Sequence, residues 1–251
     1  MNDSTSTISP AWPTRWPKDS FTSVWAWLLA ALVAALLVAA FVAGIHGANA
    51  LPMRAVNPLL IDFSIALQFL VEGILIAGIL AALPYLSKFS LHDLGLRVPD
   101  VRTVGIAAAG AVLMAIVADG GASLMDSLAH TSHQQETVQI FRALHDRVTI
   151  ALFTAFAVFF APFAEETIFR IFFFNFGMRY GGFWLGTILS ATLFGFAHGD
   201  VYEALPLALG GVILCFVYYR TRNAFAPMIT HALFNAFSIV ALLAVPKLSA
   251  P

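Results

Sequence analysis

Long apolar runs separated by short polar breaks set the pattern of the chain. The runs fall at about 24–45, 59–85, 104–125, 148–178, 183–198, 205–219 and 224–245. The first two reach the roughly 20 residues needed to cross a bilayer. The pattern predicts an all-α, polytopic transmembrane helical bundle of seven spans, or eight with a re-entrant segment. Breaks at Gly181-Gly182 and at 220–223 set off the last three runs. Asp119-Gly120-Gly121 interrupts the third run, either as a cavity-lining acid or as the end of a helix. Residues 126–147 are the longest polar stretch between runs, read as an amphipathic helix outside the membrane. The segment from Lys88 to Arg97 mixes polar and apolar positions and reads as an interfacial segment or loop. Residues 1–22, rich in Ser, Thr and Pro at their start, read as a disordered polar tail. The expected organisation is that tail, N-terminal spans and loops over 23–147, and a core of spans over 148–245.

Composition agrees with the pattern. Of 251 residues, 60% are hydrophobic and 11% charged, where soluble domains carry about 25% charged residues. The lipid bilayer is therefore a partner. A net charge of −1 gives no sign of nucleic acid. The single Cys215 excludes an internal disulfide and a Cys-based zinc site, and its apolar setting reads as packing. Arg15, Lys18, Lys88, Arg97, Arg102, Arg179, Arg220 and Arg222 collect on one side of a seven-span chain. Arg54, Arg142, Arg147 and Lys247 collect on the other. By the positive-inside rule the N-terminus is cytoplasmic and the C-terminus outside.

The candidate chemistry sits where polar residues break the apolar runs. Ala164-Glu165-Glu166-Thr167-Ile168-Phe169-Arg170 lies between near-continuous apolar sequence. Each charge at membrane depth costs on the order of 3 kcal/mol, so such residues call for a function. Glu166 and Arg170 are i,i+4 neighbours in the favourable order and can pair. Glu165 points about 100° away and is free to face a cavity. A cluster snorkelling from a span end is the bland alternative. Glu72 is a further acid, inside the second run.

Three more polar residues lie in the late runs: His198 ending Phe194-Gly-Phe-Ala-His198, and His231 and Asn235 on one helix face. Glu165 and His198 stand at similar distances from Gly181-Gly182, so antiparallel spans would place them at one depth. A glutamate and a histidine facing one water can share its proton and leave a hydroxide. A histidine and a carboxamide can donate to a developing oxyanion. These are the parts for hydrolysing an amide without a covalent intermediate. One carboxylate and two histidines could also hold zinc. A proton relay in a transporter, or polar glue between helices, would use similar residues. His130, His133 and His145 lack convincing ligand spacing. No His-Glu-x-x-His motif occurs, and neither Ser190 nor Ser238 has a Gly-x-Ser-Gly setting.

Glu165-Glu166-x-x-x-Arg170, Phe194-x-x-x-His198 and His231-x-x-x-Asn235, in that order, resemble the motifs of the CPBP family. These are the CAAX prenyl protease and bacteriocin-processing (Abi) membrane proteins. Leu94-Gly-Leu-Arg97 resembles a segment that precedes the core in bacterial members. The resemblance implies an intramembrane endopeptidase in the bacterial plasma (inner) membrane. Glu165 and His198 would activate water, and His231 and Asn235 would form the oxyanion hole. Glu166, Arg170 and Phe194 would support them. It favours a glutamate-dependent reaction with no cofactor. If zinc is bound instead, its ligands would be Glu165, His198 and His231. The substrate would be a peptide or protein entering from the membrane, CAAX-like or of bacteriocin type. The competing readings are a non-catalytic immunity or scaffold protein of the Abi type, and a proton-coupled transporter.

Overall fold

The computed structural model describes residues 18–47, 58–130, 136–144 and 146–244, and among these every regular element is a helix. The helices are α1 (Val24–Gly47), α2 (Pro58–Ser87), α3 (Val101–Ala129), the short α4 (Glu136–Ala143) and α5 (Arg147–Ala155). There follow a π-helical turn, π1 (Phe156–Phe160), then α6 (Ala161–Glu166) and a second π-helical segment, π2 (Thr167–Phe174). The chain closes with α7 (Asn175–Ala197), α8 (Val201–Thr221) and α9 (Phe225–Ala244). Hydrocarbon offers no partner for backbone N–H and C=O groups, so spanning segments must satisfy them internally, as these helices do.

Five stretches are long and apolar enough to cross a membrane: Phe69–Ser87, Val101–Ala129, Arg147–Ala197, Val201–Thr221 and Phe225–Ala244. Val24–Leu36 adds a shorter apolar helix. The Arg147–Ala197 run is a hairpin, because Gly181 and Gly182 leave helical geometry, Gly182 with φ of 68°. Counting both arms of the hairpin, the described residues hold six candidate crossings beside the shorter apolar helix. Large apolar side chains point outward along it, among them Ile74, Ile116, Trp184, Ile188 and Val240. A bilayer supplies their solvent.

The hairpin register is visible in three close approaches. The Ser190 hydroxyl donates to the Phe169 carbonyl at 2.8 Å. The rings of Phe169 and Phe194 meet edge-on at 5.3 Å. Gly177 lies against Gly186, where an added Cβ would stand 2.6 Å from the Gly186 Cα and 2.9 Å from its nitrogen. Backbone cannot give way there. Gly177→Ala is therefore expected to cost about 1–3 kcal/mol, the range for overpacking a filled site. Melting curves in detergent check this against Gly78→Ala, where a Cβ meets nothing within 4 Å. Equal melting of both variants would refute the tight crossing.

Beside the hairpin, α8 packs on α7 and α3, and α3 also packs on α9. The contacts use small residues. Gly195 lies directly on the Ala204 carbonyl, Gly121 on Pro206, and Gly110 on Val217 and Thr230. Of the two readings of Asp119-Gly120-Gly121, the helix end is therefore corrected: α3 runs on to Ala129, ending at His130 in left-handed geometry. In an apolar setting the helical backbone bonds outweigh glycine's low helix propensity, and Gly121 serves a close approach instead.

The polar stretch 126–147 is not one helix but the end of α3, then α4 over residues 136–143. His133 and His145 lie outside the described residues, as do Arg15, Arg54, Lys247 and residues 1–17 of the expected tail. The end of that tail is packed: Ser20 and Phe21 are buried, and the Ser20 hydroxyl donates to the Ser87 carbonyl at 2.6 Å. Aspartates start three helices: Asp100 caps α3, Asp146 caps α5 and Asp200 caps α8. The Thr103 hydroxyl and N–H hold the Asp100 carboxyl below the usual range. The Thr149 N–H and hydroxyl do the same for Asp146.

Candidate active site

The acidic motif occupies α6 and the start of π2, with π-helical segments on either side. Inserted π turns are rare and concentrate at functional sites. Pro162 stands in the first turn of α6 and can donate no N–H there, which fits the point where π1 gives way. Glu166 and Arg170, four residues apart across the junction of α6 and π2, share one face of the helix. Arg170 Nη1 thus donates to Glu166 Oε1 at 3.0 Å, and both side chains are fully buried.

Glu166 Oε1 also accepts from Nδ1 of His231 on α9, at 3.1 Å. The other end of the Arg170 guanidinium, Nη2, donates to the Gly211 carbonyl on α8 at 3.3 Å. Its face lies over the Phe194 ring, 4.5 Å from the centroid. One ion pair therefore ties π2, α8 and α9 together. Cys215 is buried in the surrounding core, as its sequence setting implied.

Phe194 is the hub of the arrangement. Its fully buried ring has His198 at 5.0 Å and His231 at 5.6 Å, both edge-on. The hydrogen bonds define each histidine's proton position. A carbonyl only accepts, so His198 Nδ1–H donates to Phe194 O at 2.9 Å and Nε2 keeps its lone pair. His231 Nδ1–H likewise goes to the Glu166 carboxylate. Its Nε2 faces Glu165 Oε2 across 3.9 Å, beyond hydrogen-bonding distance.

Glu165 is the accessible member, its side chain 23% exposed where Glu166 is sealed. The division expected from their angular offset is thus present. The 169/194 pair fixes the hairpin register next to the motif, and Glu165 and His198 are each four residues further from the turn. His198 itself lies beyond Phe194 at the open α7–α8 turn, and it is His231 that approaches Glu165 most closely. Asn235 donates from Nδ2 to the Ala157 carbonyl of π1 at 2.7 Å, leaving its second N–H for another acceptor.

Two acids gain significance only from the structure. Glu72 on α2 lies within electrostatic reach of Glu165. Glu203, buried in the first turn of α8, acts electrostatically on His198. An intramembrane acid in a run without a motif signalled the first. The second follows a turn, where an acid reads as an ordinary helix start.

The zinc alternative was tested on this donor set. Among the described residues no three His, Cys, Asp or Glu side chains close on one point. Phe194 packs against both imidazole rings. In this arrangement the described residues do not fit a metal.

Residues 147–237 match the family model for the type II CAAX prenyl endopeptidase Rce1-like proteins. The chain is 31% identical over 105 residues to the membrane-embedded CAAX protease MroQ of Staphylococcus aureus (strain USA300), covering 39% of this chain and 42% of that protein. It is 29% identical over 79 residues to YdiL of Bacillus subtilis (strain 168), by its name a proposed membrane peptidase, covering 32% of each. The matched regions thus span about a third to two fifths of these relatives. No solved structure matches the chain. Its spans and its bacterial relatives make it an integral bacterial membrane protein, and over residues 147–237, less than half of its length, it is similar to the Rce1-like CAAX endopeptidase family.

Proposed function

We propose that the chain is an intramembrane endopeptidase in which Glu165 and His198 deprotonate a water that attacks the scissile carbonyl. The observation that carries this reading is the pairing of one sealed and one accessible glutamate in the same helical turn. Glu166 is consumed by Arg170 and His231, so Glu165 is left as the acid that can meet a water or substrate. His198 Nε2 retains a lone pair, and its distance along the chain from the Gly181-Gly182 turn, equal to that of Glu165, makes it the candidate partner base. His231, held by Glu166, faces Glu165 and could donate from Nε2 once doubly protonated. With the spare Asn235 N–H it would stabilise the tetrahedral oxyanion. Arg170 and Phe194 position the set. The reaction written this way needs no cofactor.

The substrate would be a peptide or protein reaching the site from the membrane. By analogy with the MroQ name a CAAX-like peptide is one candidate, and a bacteriocin-type leader is the other. Terminal-peptide proteomics in the native host tests the proposal, setting wild type against Glu165→Ala and His198→Ala at matched membrane levels. Termini lost in both variants would establish proteolysis and identify the substrate. Unchanged termini with an intact phenotype would instead favour a scaffold or immunity role.

A further inference from the structure

We propose that a basic cleft at the end of the bundle remote from His198 binds the phosphate of an anionic phospholipid headgroup. The cleft has a volume of about 370 Å3, and Arg97, Arg102 and Arg220 all line it. Its walls come from the loop before α3, the start of α3 and the α8–α9 turn, so residues far apart in sequence converge on one hollow.

The walls are built rather than incidental. Asn223 Nδ2 donates to the Arg97 carbonyl at 2.9 Å, and Ala224 N–H to the Gly95 carbonyl at 2.8 Å. The Tyr218 hydroxyl, itself buried, donates to the Leu94 carbonyl at 2.7 Å. Gly95 holds a φ of +93°, and a Cβ there would stand 2.9 Å from both Ala224 N and the Arg222 carbonyl. The Leu94-Gly-Leu-Arg97 motif is thus explained as the piece that clamps this wall, with glycine obligatory at its second position.

Charge selects the ligand. Arg97 spends one donor on the Arg222 carbonyl at 3.3 Å and keeps the rest of its fork. Arg102 and Arg220 form no ion pair among the described residues. Asp100 also lines the cleft, but its carboxylate caps α3 by accepting from Thr103 N–H at 2.7 Å. Three guanidiniums against one engaged carboxylate leave a cationic hollow suited to bidentate phosphate binding.

Its rim points to lipid as the source. Val98 on the cleft wall is 90% exposed and nearby Val101 is 89% exposed. Apolar side chains beside arginines at the end of membrane-spanning helices belong at headgroup depth, where basic pockets hold anionic lipids. Topology alone would not build such a hollow. Lys18 and Lys88 carry charge near the same end without lining it.

The test uses the full chain in detergent with short-chain dihexanoyl phosphatidylglycerol as probe and the matching phosphatidylcholine as control. Wild type should prefer the glycerol lipid, and Arg102→Gln/Arg220→Gln should lose about tenfold in affinity, as removal of charge-assisted hydrogen bonds implies. Lys18→Gln/Lys88→Gln, which removes the same charge elsewhere, should stay within about twofold of wild type. Arg220→Lys, keeping charge without the planar fork, should weaken binding several-fold and guards against misfolding of the double variant. Equal losses in the two double variants would overturn the site in favour of diffuse attraction. Inorganic phosphate competing as well as the lipid would overturn the headgroup assignment. The readout is binding, so it stands apart from any protease assay.

Discussion

Arg170→Met is expected to destabilise the protein more than any other single change considered, by about 3–5 kcal/mol. Methionine fills much of the same volume, so the cost is electrostatic. Glu166 would remain fully buried with no cation, its remaining partner being the His231 N–H. The loss of the Nη2 bond to Gly211 and of the contact over Phe194 adds to this. For a chain of this size the drop corresponds to roughly 10 °C or more in melting temperature. The decisive comparison is Glu166→Gln/Arg170→Met, which removes both charges. It should recover much of the lost stability, because replacing a buried pair outright is far cheaper than orphaning one member. Melting of Arg170→Met within a degree or two of wild type would mean that the pair is solvated.

The largest expected effect on activity belongs to Glu165→Gln. The amide keeps the shape and loses the base, so turnover should fall about 10²–10⁴-fold, the usual contribution of general-base catalysis. Stability should hardly change. Glu165 makes no ion pair shorter than 3.9 Å and is partly accessible, in contrast with Glu166 one residue later. The measurement is cleavage, in proteoliposomes, of whichever peptide the terminal comparison identifies, with melting curves on the same samples. Adding a zinc chelator to wild type should leave the rate unchanged under the water-activation scheme. Wild-type turnover by Glu165→Gln would remove the scheme altogether. A chelator-sensitive wild type would move the argument to a metal.

The two predictions separate adjacent residues by role, and that separation was legible before any coordinates. Acid–acid–x–x–x–Arg in an apolar run requires that one carboxylate take the cation and that its neighbour point elsewhere. The same holds for the spans. Hydrocarbon leaves a long apolar run one option, a helix, so the class of fold and most element bounds follow from hydropathy alone. The turn at Gly181-Gly182 that separates the motif arm from the His198 arm is likewise present. By contrast, the glycines of α3 left two readings open, and the helix end that local propensity suggests is the one the apolar environment forbids.

What needed the tertiary structure was every contact between segments remote in sequence. No spacing rule says that His231 is held by Glu166, that Phe194 packs against both imidazoles, or that Glu72 and Glu203 approach the site. Nor does any rule bring Arg97, Arg102 and Arg220 around one cleft. Those facts depend on how tilted helices cross, and the crossings are decided by small residues at close approaches such as Gly177 on Gly186. The π turns beside the motif add a further shift, because each changes the angular phase of the side chains beyond it. The sequence by itself determined a helical membrane protein with a glutamate pair of unequal fates. Only packing decided which histidine each glutamate meets, because hydropathy dictates that helices form but leaves open how they turn toward one another.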